Sequence, residues 1–132
     1  MDKKLQILLV DDDDDFLLQH RLMLEKAGYS VSTAGSRAEA EQLLASQKPD
    51  LAIVDLMMED VDSGFALCYS IKKDHRDVPV IMCTGVGHET GMAFDAATDE
   101  ERSWVKADAM LAKPVRFEQL TREIERLIAA KT

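Results

Sequence analysis

Positive charge is scarce in this chain of 132 residues: 16 Lys and Arg stand against 25 Asp and Glu, a net charge of −9. Nucleic acid and anionic membrane surfaces both reward clustered cations, so neither is expected as a direct partner. Divalent cations and basic protein surfaces are not disfavoured. Cysteine is nearly missing too. Cys68 and Cys83 are too few for a disulfide framework and have no metal-type spacing, and their apolar neighbours mark them as small buried hydrophobes in a reducing compartment. No apolar run approaches the length of a bilayer span, and Met1 to Gln6 lacks the apolar core of a secretory leader, which makes the cytoplasm the expected location. No internal repeat, low-complexity tract or linker is found, and the length suits one domain over residues 1–132.

What is present is a regular alternation of short apolar runs and longer amphipathic ones. Leu5–Val10 is nearly all aliphatic and stops at five aspartates. Asp15–Ala27 carries Phe16, Leu17, Leu22, Met23, Leu24 and Ala27 at helical spacing, with Gly28 placed as a C-cap. Tyr29–Thr33 alternates like a strand, and Ser36 to Glu39 is a capping box opening a helix with Ala40, Leu43 and Leu44 on one face. Leu51–Val54 and Val78–Cys83 are further aliphatic runs, separated by a helix over about Gly64–Lys73, and Met110–Ala112 is a short last one. A final helix over about Phe117–Ala130 lines up Leu120, Ile124, Leu127 and Ile128. Strands buried on both faces read as continuous aliphatic runs. The pattern therefore predicts an α/β fold: a flavodoxin-like, doubly wound, five-stranded parallel sheet in the order 2-1-3-4-5, flanked by five helices.

In such sheets ligands sit outside the carboxyl ends of the strands, near the point where the winding reverses. The residues that end the runs are Asp11 and Asp12 after the first, Asp55 after the third, Thr84 after the fourth and Lys113 after the fifth. Three carboxylates, a hydroxyl and an ammonium are thus directed to one crevice. Crowded carboxylates repel one another and are tolerable beside a divalent cation. Asp13, Asp14 and Asp15 read instead as N-cap and first-turn carboxylates of the following helix. His20, His75 and His88 share no spacing and are expected at the surface, and Gly85-Val86-Gly87 lacks the Gly-Lys-Ser/Thr of a phosphate-binding loop.

The segments ILLVDDD (7–13), PDLAIVDLMM (49–58), VPVIMCTG (78–85) and AMLAKPV (109–115) resemble, in order, the signature segments of response-regulator receiver domains, and the resemblance spans essentially the whole chain. It implies a two-component phosphorelay protein, a signalling domain whose only chemistry is its own phosphoryl transfer and hydrolysis. Asp55 then corresponds to the phosphoacceptor, Asp11 and Asp12 to the acidic pair that holds Mg2+ with Asp55, and Met57 to the residue lending its backbone carbonyl to that ion. Thr84 and Lys113 correspond to the groups that contact the phosphoryl oxygens. The family also implies a histidine kinase or phosphotransfer protein as partner, a downstream protein target, and a monomer or weak dimer acting as a stand-alone switch or relay. Its contact surface would be the fourth helix, fifth strand and fifth helix.

The sequence departs from the family pattern in three places. Glu59 stands where proline is common, with an extra residue before Gly64. The stretch from Thr84 to Lys113 is longer than usual and contains Trp104, the one tryptophan. Met110 stands where the family has Tyr or Phe, so switching is expected to concentrate in residues 85–104 rather than at position 110. Two rivals remain at this level. One is a pseudo-receiver that binds partners without being phosphorylated. The other is a haloacid-dehalogenase-like phosphatase, whose opening motif Asp11 and Asp13 superficially fit but which needs a further acidic pair after the lysine and a cap domain.

Overall fold

Each apolar run becomes a strand. The computed structural model describes residues 4–55, 63–84, 107–112 and 115–131. Strands β1 (Gln6–Val10), β2 (Ser30–Ala34), β3 (Leu51–Asp55), β4 (Val80–Thr84) and β5 (Ala109–Ala112) form one sheet in the order β2-β1-β3-β4-β5, with every pairing parallel. Helices α1 (Asp14–Lys26), α2 (Arg37–Ser46), α3 (Ser63–Asp74) and α4 (Phe117–Lys131) follow β1, β2, β3 and β5. The expected doubly wound fold is therefore present; the remaining helix of the expected five, between β4 and β5, falls outside the described residues.

The reason for the unbroken aliphatic runs is visible in the packing. Alternate residues of each strand enter opposite cores. Ile7, Leu9, Leu51, Ile53, Ile81, Cys83 and Leu111 join Leu17 and Leu24 of α1 and Leu120, Ile124 and Leu127 of α4. Leu8, Val10, Ala52, Val54, Val80 and Met82 join Ala40 of α2 and Leu67, Cys68 and Ile71 of α3. A strand buried on both sides has no polar face to offer, so period two disappears from its sequence. Pro79 sits one residue before β4, where it needs no N–H, and its carbonyl still accepts from Ala52 N–H at 3.0 Å.

Local chemistry fixes the helix ends. Asp13 caps α1, its side chain accepting from the N–H groups of Asp15 and Phe16, and Asp14 and Asp15 occupy the first turn. At the other end Tyr29 N–H donates to Leu24 C=O and Gly28 N–H to Glu25 C=O, a Schellman pair that requires the left-handed φ of 105° found at Gly28. Ser36 Oγ accepts from Glu39 N–H at 3.2 Å, as the capping box predicts. The Glu39 carboxylate, however, reaches one residue further back, taking Gly35 N–H at 2.7 Å.

The rotation of α1 differs from the expectation. Leu17, His20 and Leu24 face the core, whereas Leu22 is 53% exposed and Leu18 similarly so. Positions 17, 20 and 24 share a face at spacings of three and four, and Leu18 and Leu22 fall on the opposite side. His20, expected at the surface, is buried. Its ring stacks on Phe16 with centroids 3.9 Å apart, and its Nδ1 lies 3.0 Å from Phe16 C=O. A carbonyl only accepts, so Nδ1 carries the proton.

Both cysteines are buried. Burial pushes the Cys68 thiol up to about 12, with Asp108 adding to the shift and Lys72 opposing it. The sign follows from linkage: the unfolded thiol ionises from its ordinary value of 9.0 upward while the folded one stays protonated to about 12. The neutral thiol's contribution is thus complete below pH 9 and is lost between the two values. Urea unfolding midpoints measured from pH 8 to pH 11 should therefore fall more steeply for the wild type than for Cys68→Ala; parallel curves would contradict this.

Candidate functional site

The strand register builds the site. Val10 of β1 lies opposite Val54 of β3, so the residues that follow, Asp11 and Asp55, emerge side by side at the carboxyl edge. β1 sits between β2 and β3, so the chain reverses its winding here, where this class of sheet opens its crevice. Asp55 is 5% exposed and Asp11 1%, while Asp12 faces solvent. One carboxylate oxygen from each of the three lies within 4.8 Å of the others. Three of the residues singled out in the sequence are thereby brought together.

Asp11 is held on two sides. Its N–H donates to Ala34 C=O at 3.1 Å, extending the β1–β2 ladder by one step, and its Oδ1 accepts from Asp13 N–H at 2.9 Å. The second contact is not legible from residue spacing, since it depends on the N-cap conformation of Asp13, φ −94° and ψ 108°.

On the other side of β3, Asp55 pairs with Cys83 of β4, and Thr84 pairs with Ala112 of β5. The backbone of Thr84 therefore stands one residue beyond the level of Asp55. Lys113 and Met57 lie outside the described residues, as does 85–106. The far ends of these strands are locked by one ionic cluster. Lys72 Nζ donates to Asp108 Oδ2 at 3.1 Å and to Val78 C=O at 3.0 Å, and Asp108 Oδ2 also accepts from Val80 N–H at 2.8 Å. This fixes the β4–β5 register at its start and hence what arrives beside Thr84 at its end. Met110 lies opposite Met82 and packs on the α2–α3 side of the sheet.

Three carboxylate oxygens within 4.8 Å are suited to a hard divalent cation. Ligands on opposite sides of a Mg2+ ion are separated by about 4.2 Å at bond lengths near 2.1 Å, so oxygens that all lie within 4.8 Å of one another are of a suitable compass for it. All the donors are oxygens, as such an ion prefers over softer nitrogen or sulfur sites.

A sequence model of the response regulator receiver domain matches residues 7–125. The heme response regulator HssR of Staphylococcus aureus (strain JH9) is 37% identical over 116 residues, covering 87% of this chain and 47% of that protein. HssR of Staphylococcus haemolyticus is 38% identical over 122 residues, 92% of this chain and 50% of that protein. The chain thus spans about half the length of these curated relatives. Among solved structures, a CheY-like response regulator receiver domain protein from Methanospirillum hungatei superposes with a TM-score of 0.82 at 26% identity, covering 98% of this chain and 97% of that one. Response regulator TrrA from Thermotoga maritima, in complex with Mg2+-BeF, gives a TM-score of 0.77 at 27% identity over 95% and 99% of the two chains.

Proposed function

Because the chain belongs to the response regulator receiver domain family, we propose that residues 1–132 form one receiver unit that accepts a phosphoryl group on Asp55 and passes the change to another protein by contact. The observation that supports this most is the position of Asp55: buried, ending the strand at the centre of the sheet, with the carboxylates of Asp11 and Asp12 within 4.8 Å.

In this reading a carboxylate oxygen of Asp55 attacks the phosphorus of a phosphohistidine or a small acyl phosphate. A new O–P bond forms as the donor's N–P or O–P bond breaks, and the donor leaves with the bonding pair, an imidazole taking up a proton and a carboxylate departing as the anion. Asp11, Asp12, Asp55 and the backbone carbonyl of Met57 would hold Mg2+, which when bound supplies positive charge against the phosphoryl oxygens. Thr84 and Lys113 would contact the same oxygens from β4 and from the end of β5. A few oxygen ligands suit Mg2+, which keeps several waters, better than a Ca2+ cage of six to eight. A histidine kinase or phosphotransfer protein would be the donor, the cytoplasm the location, and the protein would act as a switch or a relay. Among the described residues no helix is long and apolar enough to cross a membrane.

The test is incubation of the whole chain with acetyl phosphate, with Mg2+ or with chelator, read by intact mass. One phosphoryl group gained with Mg2+ and absent in chelator is the expected result. No gain with acetyl phosphate, phosphoramidate or a phosphorylated kinase would establish the pseudo-receiver instead, and continuous release of phosphate with no protein-bound phosphoryl group would point to a phosphatase.

The phosphorylated state should be long-lived. Hydrolysis needs a water in line with the acyl phosphate, and the side chains flanking that path in receivers are here those of Met57 and Val86, neither able to orient a water by hydrogen bonding. Met57→Asn should shorten the lifetime, each factor of ten corresponding to about 1.4 kcal/mol off the barrier. Decay curves in excess Mg2+ that coincide for wild type and variant would show that these flanking side chains do not set the lifetime.

A further inference from the structure

Asp13 stands outside the three-carboxylate group, yet it touches it through its backbone. Its N–H donates to Asp11 Oδ1 at 2.9 Å, while its own Oδ1 accepts from Asp15 N–H at 3.0 Å and Phe16 N–H at 3.3 Å. These bonds are coupled. A side chain that accepts from the second and third N–H groups of a helix must hold its own residue in the extended N-cap conformation, here φ −94° and ψ 108°. That conformation sets the plane of the peptide between Asp12 and Asp13, and with it the direction of the Asp13 N–H. The same peptide plane begins at Asp12, so one cap orients the backbone of one cluster carboxylate and anchors the side chain of another.

We propose that Asp13 is a positioning residue for the cation site: its cap on α1 holds its N–H against Asp11 Oδ1 and so fixes the rotation of the Asp11 carboxylate. The inference rests on the reading that Asp11, Asp12 and Asp55 bind a divalent cation. The role belongs to the acceptor atom of the side chain and not to its charge, which is what a variant pair can separate. Asn at this position keeps an acceptor oxygen on the same atom and loses the charge; Ala loses both. A carboxylate that loses one of its supporting contacts is less well ordered for the ion, and contacts of this kind are worth on the order of tenfold in metal affinity.

The experiment is titration of the wild-type chain, Asp13→Asn and Asp13→Ala with Mg2+ by calorimetry and with Mn2+ by water-proton relaxation, at fixed ionic strength, with far-UV circular dichroism to confirm that each is folded. The expected result is wild-type and Asp13→Asn affinities that agree within about threefold, with Asp13→Ala weaker by about tenfold. Three outcomes would overturn the proposal. A purely structural cap would lower the melting temperature of Asp13→Ala in chelator without moving either affinity. Equal weakening in both variants would assign the effect to charge. Unchanged affinity and unchanged melting temperature in Asp13→Ala would remove the cap itself. Failure of the wild type to bind either ion is a different result, and refutes the cation site rather than the role of Asp13.

Discussion

Asp55→Asn should abolish phosphoryl labelling completely while leaving the protein folded. The amide is nearly the same shape as the carboxylate, so the buried position at the end of β3 is filled as before, but the nucleophilic oxygen is gone. Labelling by acetyl phosphate with Mg2+, followed by intact mass and by cleavage with hydroxylamine, measures the loss. Labelling that survives in the variant would assign the acceptor to another residue. The same substitution should also raise the melting temperature in chelator. It removes one of three like charges held within 4.8 Å of one another, and two of the three are withdrawn from solvent. A lower melting temperature would mean that the other contacts of the Asp55 carboxylate outweigh the repulsion.

Asp12→Ala should weaken Mg2+ binding by at least tenfold, because it deletes a direct ligand from a set that has few. It should raise stability in the absence of metal by a smaller amount than Asp55→Asn. Asp12 faces water, where unit charges up to 4.8 Å apart repel by roughly 1 kcal/mol per pair, and Asp12 makes two such pairs, with Asp11 and with Asp55. In a chain of this length about 2 kcal/mol corresponds to a rise of about 6–10 °C in melting temperature. Asp12→Ala with wild-type Mg2+ affinity would exclude Asp12 from the site. A lower melting temperature in chelator would contradict the crowding argument, since Asp12 is exposed and not part of the core.

The two variants together separate ligand from nucleophile. Asp12→Ala should still be labelled at a high enough Mg2+ concentration, since the acceptor is intact and only affinity is reduced. Asp55→Asn should remain unlabelled at any concentration. If both respond to added Mg2+ alike, Asp55 acts as a ligand only.

Most of the site is legible in the amino-acid sequence because its chemistry is written at strand ends. A strand buried on both faces leaves an unmistakable aliphatic run, and the first polar residue after it marks the edge where ligands bind. Asp11, Asp12 and Asp55 can be found in that way, and the fold brings these three together. The helix caps are equally readable, since Asp13, Ser36 and Gly28 act on residues no more than four positions away. The face of α1 is not. Leu17, Leu18, Leu22 and Leu24 are chemically interchangeable, and the choice of which to bury falls to the sheet and α4 packed against the helix. That choice puts His20 inside, where stacking on Phe16 and a bond to its carbonyl satisfy a ring that residue type alone would place in water.

Periodicity and residue type over a few neighbouring positions are enough to set the order of elements, the doubly wound sheet and the identity of the carboxylates. Two further features come from the packed fold alone. Asp11 and Asp55 are withdrawn from solvent while Asp12 is exposed, and the Lys72–Asp108 pair locks the β4–β5 register. Those depend on strand register and helix rotation. Both are set by contacts between residues distant in the chain, and no local pattern carries that information.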